Sequence, residues 1–234
     1  MNWVTLLSAL LATIAAGTAS VAMGLEYARS RRPHAACWTI SLALFALASA
    51  LLAIGEVIGW SPWLFRMYYM VGAVLVVPWM TLGAVWLFGP IKLARVGVWM
   101  TIGLSLAVVV VALLSSPKVP TDSLPELKDA LESARIARGL AMLANAGGTP
   151  VAIFLLLRAA STFRRKKVLP NKASGAIIIS IGIAAAAVGG LLAVAVSVIY
   201  LAPSLAVGAV LMLAGFRRWN QTPHVNAELA GVPT

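Results

Sequence analysis

Seven apolar stretches, each long enough to cross a lipid bilayer, divide this 234-residue chain, and the charges between them are sorted to one side. A helix needs about 20 mostly apolar residues to span hydrocarbon. Windows of that length fall at 3–24, 36–58, 67–89, 96–115, 138–158, 174–193 and 197–216. Hydrocarbon offers no water to backbone N–H and C=O groups, so each stretch must satisfy its own within a helix. Only 11% of the residues are charged, against about 25% in a soluble domain. The expectation is one all-α transmembrane domain over residues 1–219, with a polar, small-residue-rich tail at 220–234. The first stretch lacks a basic residue before its apolar core, so it reads as a retained helix rather than a cleaved signal.

The net charge of +11 raises the question of nucleic acid, and its distribution answers it. Arg29, Arg31, Arg32, Lys92, Arg95, Arg158, Arg164, Arg165, Lys166, Lys167, Lys172, Arg217 and Arg218 all fall at alternate helix ends, with Glu26 and Glu228 as the acids on that side. The other side holds Arg66, Lys118, Lys128, Arg135 and Arg138, balanced by Glu56, Asp122, Glu126, Asp129 and Glu132. Basic residues concentrate on the cytoplasmic side of membrane proteins. The N-terminus is therefore expected outside and the C-terminus in the cytoplasm, in the inner membrane of a bacterium. The expected partners are membrane lipids, anionic at the basic face, and not nucleic acid. Arg164, Arg165, Lys166 and Lys167, the densest basic cluster, are the candidate head-group contacts.

The outer segment before helix 5 is different in kind. Ser123-Leu124-Pro125-Glu126 reads as a capping box with an early proline. Leu124, Leu127, Leu131 and Ile136 recur at helical spacing among charges, so a short amphipathic outer helix is expected there. The uncharged run 174–216 is too long for one crossing. Two helices joined by a tight turn near Leu192–Val198 accommodate it and keep Arg217 and Arg218 on the basic side.

Few residues offer chemistry. Glu56 ends the second stretch and Arg66 opens the third ten residues later, joined by Trp60-Ser61-Pro62-Trp63. They are the candidate ion pair, or alternatively a proton site, since a carboxylate beside a membrane is costly. The fifth stretch contains Asn145-Ala146-Gly147-Gly148-Thr149-Pro150. Pro150 removes a backbone donor, and interrupted helices often line transporter sites. Pro78 and Pro203 are read as two further kinks. Asn145 with Thr149, and Tyr200 with Ser204, each lie four apart on one helix face; with Pro78 they form the candidate ligand-binding set. Gly182, Ala186 and Gly190, and Ala16, Ser20 and Gly24, form rows that permit close helix approach, within the chain or in a homo-oligomer. Cys37 is the single cysteine, so no intramolecular disulfide is possible.

The expected absences narrow the class. The apolar stretches contain no interior lysine for a retinal Schiff base. His34 and His224 sit at a helix end and in the tail, so no paired haem ligands are expected. With Glu56 the one membrane-proximal acid, no general acid–base pair forms within the bilayer. No cofactor, metal or catalytic residue is expected, and the chain is not expected to be an enzyme.

The segments Arg29-Ser30-Arg31-Arg32-Pro33-His34 leading to Ala36-Cys37-Trp38, Arg66-Met67-Tyr68-Tyr69 with Gly72, and Gly215-Phe216-Arg217 together resemble those of small seven-helix integral membrane proteins of bacterial genomes. The resemblance implies the architecture and carries no activity. The expected role is binding of a hydrophobic small molecule or lipid within a kinked helical bundle. The alternatives are a small secondary transporter with a midplane site, and an accessory subunit of a membrane complex with a protein partner.

Overall fold

The computed structural model describes residues 2–114, 135–166 and 170–221, and these hold seven helices long and apolar enough to cross a membrane. They are α1 (Trp3–Ser30), α2 (Pro33–Ile58), α3 (Pro62–Phe88), α4 (Ile91–Leu114), α5 (Arg135–Lys166), α6 (Pro170–Ala195) and α7 (Leu201–Asn220). The expected outer amphipathic helix and the tail beyond Gln221 lie outside the described residues.

The helix boundaries have local causes. The Asn2 side chain accepts from Val4 N at 3.0 Å and Thr5 N at 3.4 Å, capping α1. Arg31 ends that helix with φ 52, its N–H reaching Tyr27 O. Pro33 and Pro62 open α2 and α3, where a missing N–H costs nothing. Gly59, at φ 86, takes the left-handed backbone that ends α2. At the basic side the helices run past the apolar windows. α1 continues to Ser30 and α5 to Lys166, and Arg29, Arg217 and Arg218 occupy last turns, where cations complement the helix dipole.

Six helices close a ring. α1 packs on α2, α2 on α3, α3 on α5, α5 on α6, α6 on α7, and α7 back on α1. The fourth helix stands outside this ring against α3 and α5. α4 therefore lies between α3 and α5 in chain order but not in the ring.

Among the described residues the core has two large clusters, one toward each end, and a small third one of Ala84, Val85, Ala94 and Leu155 where α3, α4 and α5 meet. Near the basic end, Trp38 of α2, Phe88 of α3, Phe163 of α5 and Phe216 and Trp219 of α7 interlock, with ring centroids 5.2–6.2 Å apart. Lys172 of α6 lies 5.5 Å over the Trp219 ring. At the opposite end, Trp60, Phe65, Tyr68 and Tyr69 pack with Leu52, Val74, Val108, Ala141 and Ala202. The basic-end layer draws on α1, α2, α3, α5, α6 and α7, and the opposite layer on α1, α2, α3, α4, α5 and α7.

The turn between α6 and α7 overlaps the expected stretch and ends two residues past it: α6 stops at Ala195, Ser197 Oγ accepts from Ile199 N, and a 3-10 turn at Val198–Tyr200 leads into α7. Pro203 departs from expectation. It stands in the first turn of α7, where N–H groups lack intrahelical acceptors, and so interrupts nothing.

Candidate functional site

The third helix changes register partway. Its ends, Pro62–Tyr69 and Val76–Phe88, are α-helical, but Met70–Leu75 is π-helical. In the π register a carbonyl accepts from the N–H five residues on. Five residues beyond Ala73 stands Pro78, which has no N–H. The missing donor comes from α5: Asn145 Nδ2 lies 2.6 Å from Ala73 O and 2.8 Å from its own-helix Ala141 O. Below it, Thr81 Oγ1 donates to Gly148 O at 2.9 Å, beside Pro150. From α2, Ser41 Oγ donates to Val76 O at 2.8 Å and Trp38 Nε1 to Met80 O at 3.1 Å. Asn145 thus meets the interruption in α3 from one flank, while Ser41 and Trp38 bond carbonyls of its α-helical part from the other.

This geometry separates the candidate ligand residues. Asn145 reaches the interrupted part of α3, where Pro78 is half-buried; Thr149 is half-buried one turn further along α5. Ser204 belongs to the α6–α7 contact, and Tyr200 is exposed at its rim. There, Ile181, Ala184, Ala185, Val188, Pro203, Ser204 and Val207 line an open groove of about 440 Å³. All of these but Ser204 are apolar, and the groove opens on the flank of two candidate membrane spans.

The same two helices approach each other most closely through glycine. An added Cβ on Gly182 would stand 2.8 Å from Gly208 O, and one on Gly175 2.8 Å from Gly215 O. A Cβ on Gly189 would overlap Ser204. The contact row is therefore Gly175, Gly182 and Gly189, seven apart, matched by Gly208 and Gly215. Of the row read from sequence, Gly182 lies at the seam and Ala186 touches Gly208, but Gly190 faces open space. A seven-residue repeat of small residues was the signal that could have found the seam.

The Glu56 carboxylate is half-buried and accepts the backbone N–H of Asn2 at 3.1 Å. It joins the start of α1 to the end of α2; the expected bond to Arg66 is not among those that the described residues give Glu56. At the basic end, Arg164 and Arg165 are exposed on the last turns of α5; the Lys166 side chain and Lys167 lie outside the described residues. His34 is buried, its ring edge-on to Trp38 at 5.5 Å. Among the described residues, no group of three or more His, Cys, Asp or Glu side chains is placed to hold a metal ion. Compared with protein families, curated proteins and solved structures, the chain shows no match.

Proposed function

We propose that this protein is a non-catalytic integral membrane protein that binds a hydrophobic small molecule or lipid chain, with its N-terminus outside and its C-terminus in the cytoplasm of a bacterial inner membrane. The observation that carries the reading is the apolar groove between α6 and α7, with Ser204 as its one polar lining residue. Ligand sites are typically concave and mainly apolar, with a few polar groups that fix orientation. In the proposed orientation the groove lies in the outer half of the bilayer, since Pro203 and Ser204 belong to the first turn of α7. A chain entering sideways from the lipid needs no aqueous path. Exposed Arg164, Arg165, Arg217 and Arg218 at the cytoplasmic end suit anionic head groups.

Five interior polar side chains favour this over a transporter. Ser20, Ser41, Thr81, Asn145 and Ser180 each spend a donor on a backbone carbonyl, and Glu56 already accepts the Asn2 amide.

Native mass spectrometry after gentle extraction from defined lipid mixtures tests the proposal. A retained apolar adduct is expected, lost when Ala185→Phe or Val207→Trp fills the groove. A ligand-free species in every mixture would refute it. Protein partners at fixed stoichiometry, with no adduct, would favour the accessory-subunit alternative.

A further inference from the structure

We propose that the π-helical segment of α3 is a two-position switch held by Asn145, independent of whether any ligand binds the α6–α7 groove. Three observations meet there. First, Pro78 leaves one carbonyl of the segment without a backbone donor in either register: Ala73 O in the π register, Val74 O in the α register. Asn145 donates to Ala73 O at 2.6 Å, so its amide selects the π position. Second, the clasp stands where Gly147, Gly148 and Pro150 follow directly in α5, and Thr81 adds a second bond across the contact. Third, the surface on which the N-terminal half of α3 rests holds buried donors with no hydrogen-bond partner among the described residues. Trp60 Nε1 is in the aromatic cluster formed with Phe65 and Tyr68. Ser49 Oγ, also unpartnered, belongs to the same turn of α2 as Ala48, the side chain nearest Gly72 of the π segment, though the two side chains point about 100° apart. Unmet buried donors are costly, so the clasped packing carries a penalty that a second packing can relieve.

A π segment holds one residue more than the α turns it replaces. When the clasp opens and the segment relaxes to α, the Pro62–Tyr69 half turns by about 100°, the angle per helical residue. Phe65, Tyr68 and Tyr69 then exchange places with their sequence neighbours against α2. Gly72, inside the segment, turns away from Ala48.

That rotation is measurable as disulfide formation in the full chain, reconstituted in nanodiscs in a Cys37→Ala background. A Cβ on Gly72 would lie 3.0 Å from the Ala48 Cβ, about 0.5 Å inside the disulfide range, so the two sulfurs come within bonding reach once the helices part by that amount. The pair Ala48→Cys with Gly72→Cys is expected to oxidise readily. Adding Asn145→Leu, or the milder Asn145→Ser, is expected to slow it measurably, by at most about five- to tenfold, the equilibrium factor that corresponds to one lost buried hydrogen bond. The pair Gly17→Cys with Ala46→Cys joins α1 to α2, where an added Cβ would stand 3.9 Å from its partner; its rate should not change. An unchanged rate at 48–72 in both Asn145 variants would overturn the switch. Equal slowing at both pairs would overturn it too, because that reports a loosened bundle. Asn145→Ser keeps the measurement possible should Asn145→Leu fail to fold.

Discussion

Substituting alanine at Gly182 and at Gly190 changes the same helix by the same single methyl group, yet the two sites should respond in opposite ways. At Gly182 the new Cβ would meet Gly208 O at 2.8 Å and both Met212 N and Met212 Cγ at 3.0 Å. Two of these three atoms are backbone, so no rotamer change relieves them. The α6–α7 seam must open by roughly 0.5 Å, and a gap of that size already forfeits about a quarter of each dispersion contact it stretches. Overpacking of this kind costs about 1–3 kcal/mol. At Gly190 nothing lies within 4 Å of the added methyl. Both variants gain the same helix propensity, at most about 1 kcal/mol, so the difference between them isolates the seam. Equilibrium unfolding in mixed micelles, or steric trapping in bicelles, should place Gly182→Ala below Gly190→Ala by about 1–3 kcal/mol. Equal stabilities would show that α6 and α7 do not meet through this glycine row.

Other outcomes follow from single contacts. Trp38→Phe removes the indole donor to Met80 O and leaves a void in the interlocked basic-end cluster, so it should cost about 1–3 kcal/mol; Trp99→Phe, at a site 76% exposed, should stay within about 0.5 kcal/mol, and equal losses in the two would contradict the packing. Glu56→Gln keeps an acceptor for the Asn2 amide and should change stability by no more than about 1 kcal/mol. Proton-driven solute uptake in vesicles, abolished by Glu56→Gln at normal folded yield, would instead establish a transporter. In a Cys37→Ala background, Ser161→Cys, exposed near the end of α5, should react with impermeant maleimide only from the cytoplasmic side; labelling from outside would invert the proposed orientation.

The number of helices was legible because bilayer length and apolar composition fix it without reference to neighbours. The α6–α7 turn was legible for a related reason: an uncharged run too long for one crossing must reverse, and the basic pair Arg217–Arg218 fixed the parity. Helix adjacency was not legible. Short connections suggest neighbours in chain order, yet α4 stands outside the ring and α3 packs on α5. That outcome depends on which faces interlock, as Thr81 on Gly148 and Asn145 on Ala73 do, and no single helix reveals its partner's face. Pro203 was misread because proline breaks a helix only after the first turn has formed. Where α7 begins, at Leu201, depends on the 3-10 turn before it.

The polar residues show why a broken helix alone is weak evidence for a ligand. A proline or a π turn removes a backbone donor or shifts the pattern of acceptors, and in hydrocarbon the orphaned group must find a partner. A ligand, an ion or a neighbouring side chain can each supply it, and sequence cannot choose among them. Here Asn145 supplies the donor at Ala73 O, while Thr81, Ser41 and Trp38 donate to carbonyls that also have a backbone N–H four residues on, each bond within 3.1 Å. At the α3–α5 contact the polar groups of Asn145 and Thr81 are spent on backbone carbonyls, which leaves it suited to a change of register and poorly suited to recognising a polar solute. The α6–α7 pair presents the reverse case. Its backbones meet through glycine without any interruption, so its flank keeps a groove with no orphaned group to satisfy. That asymmetry is the physical ground for placing ligand binding at the groove and movement at the clasp.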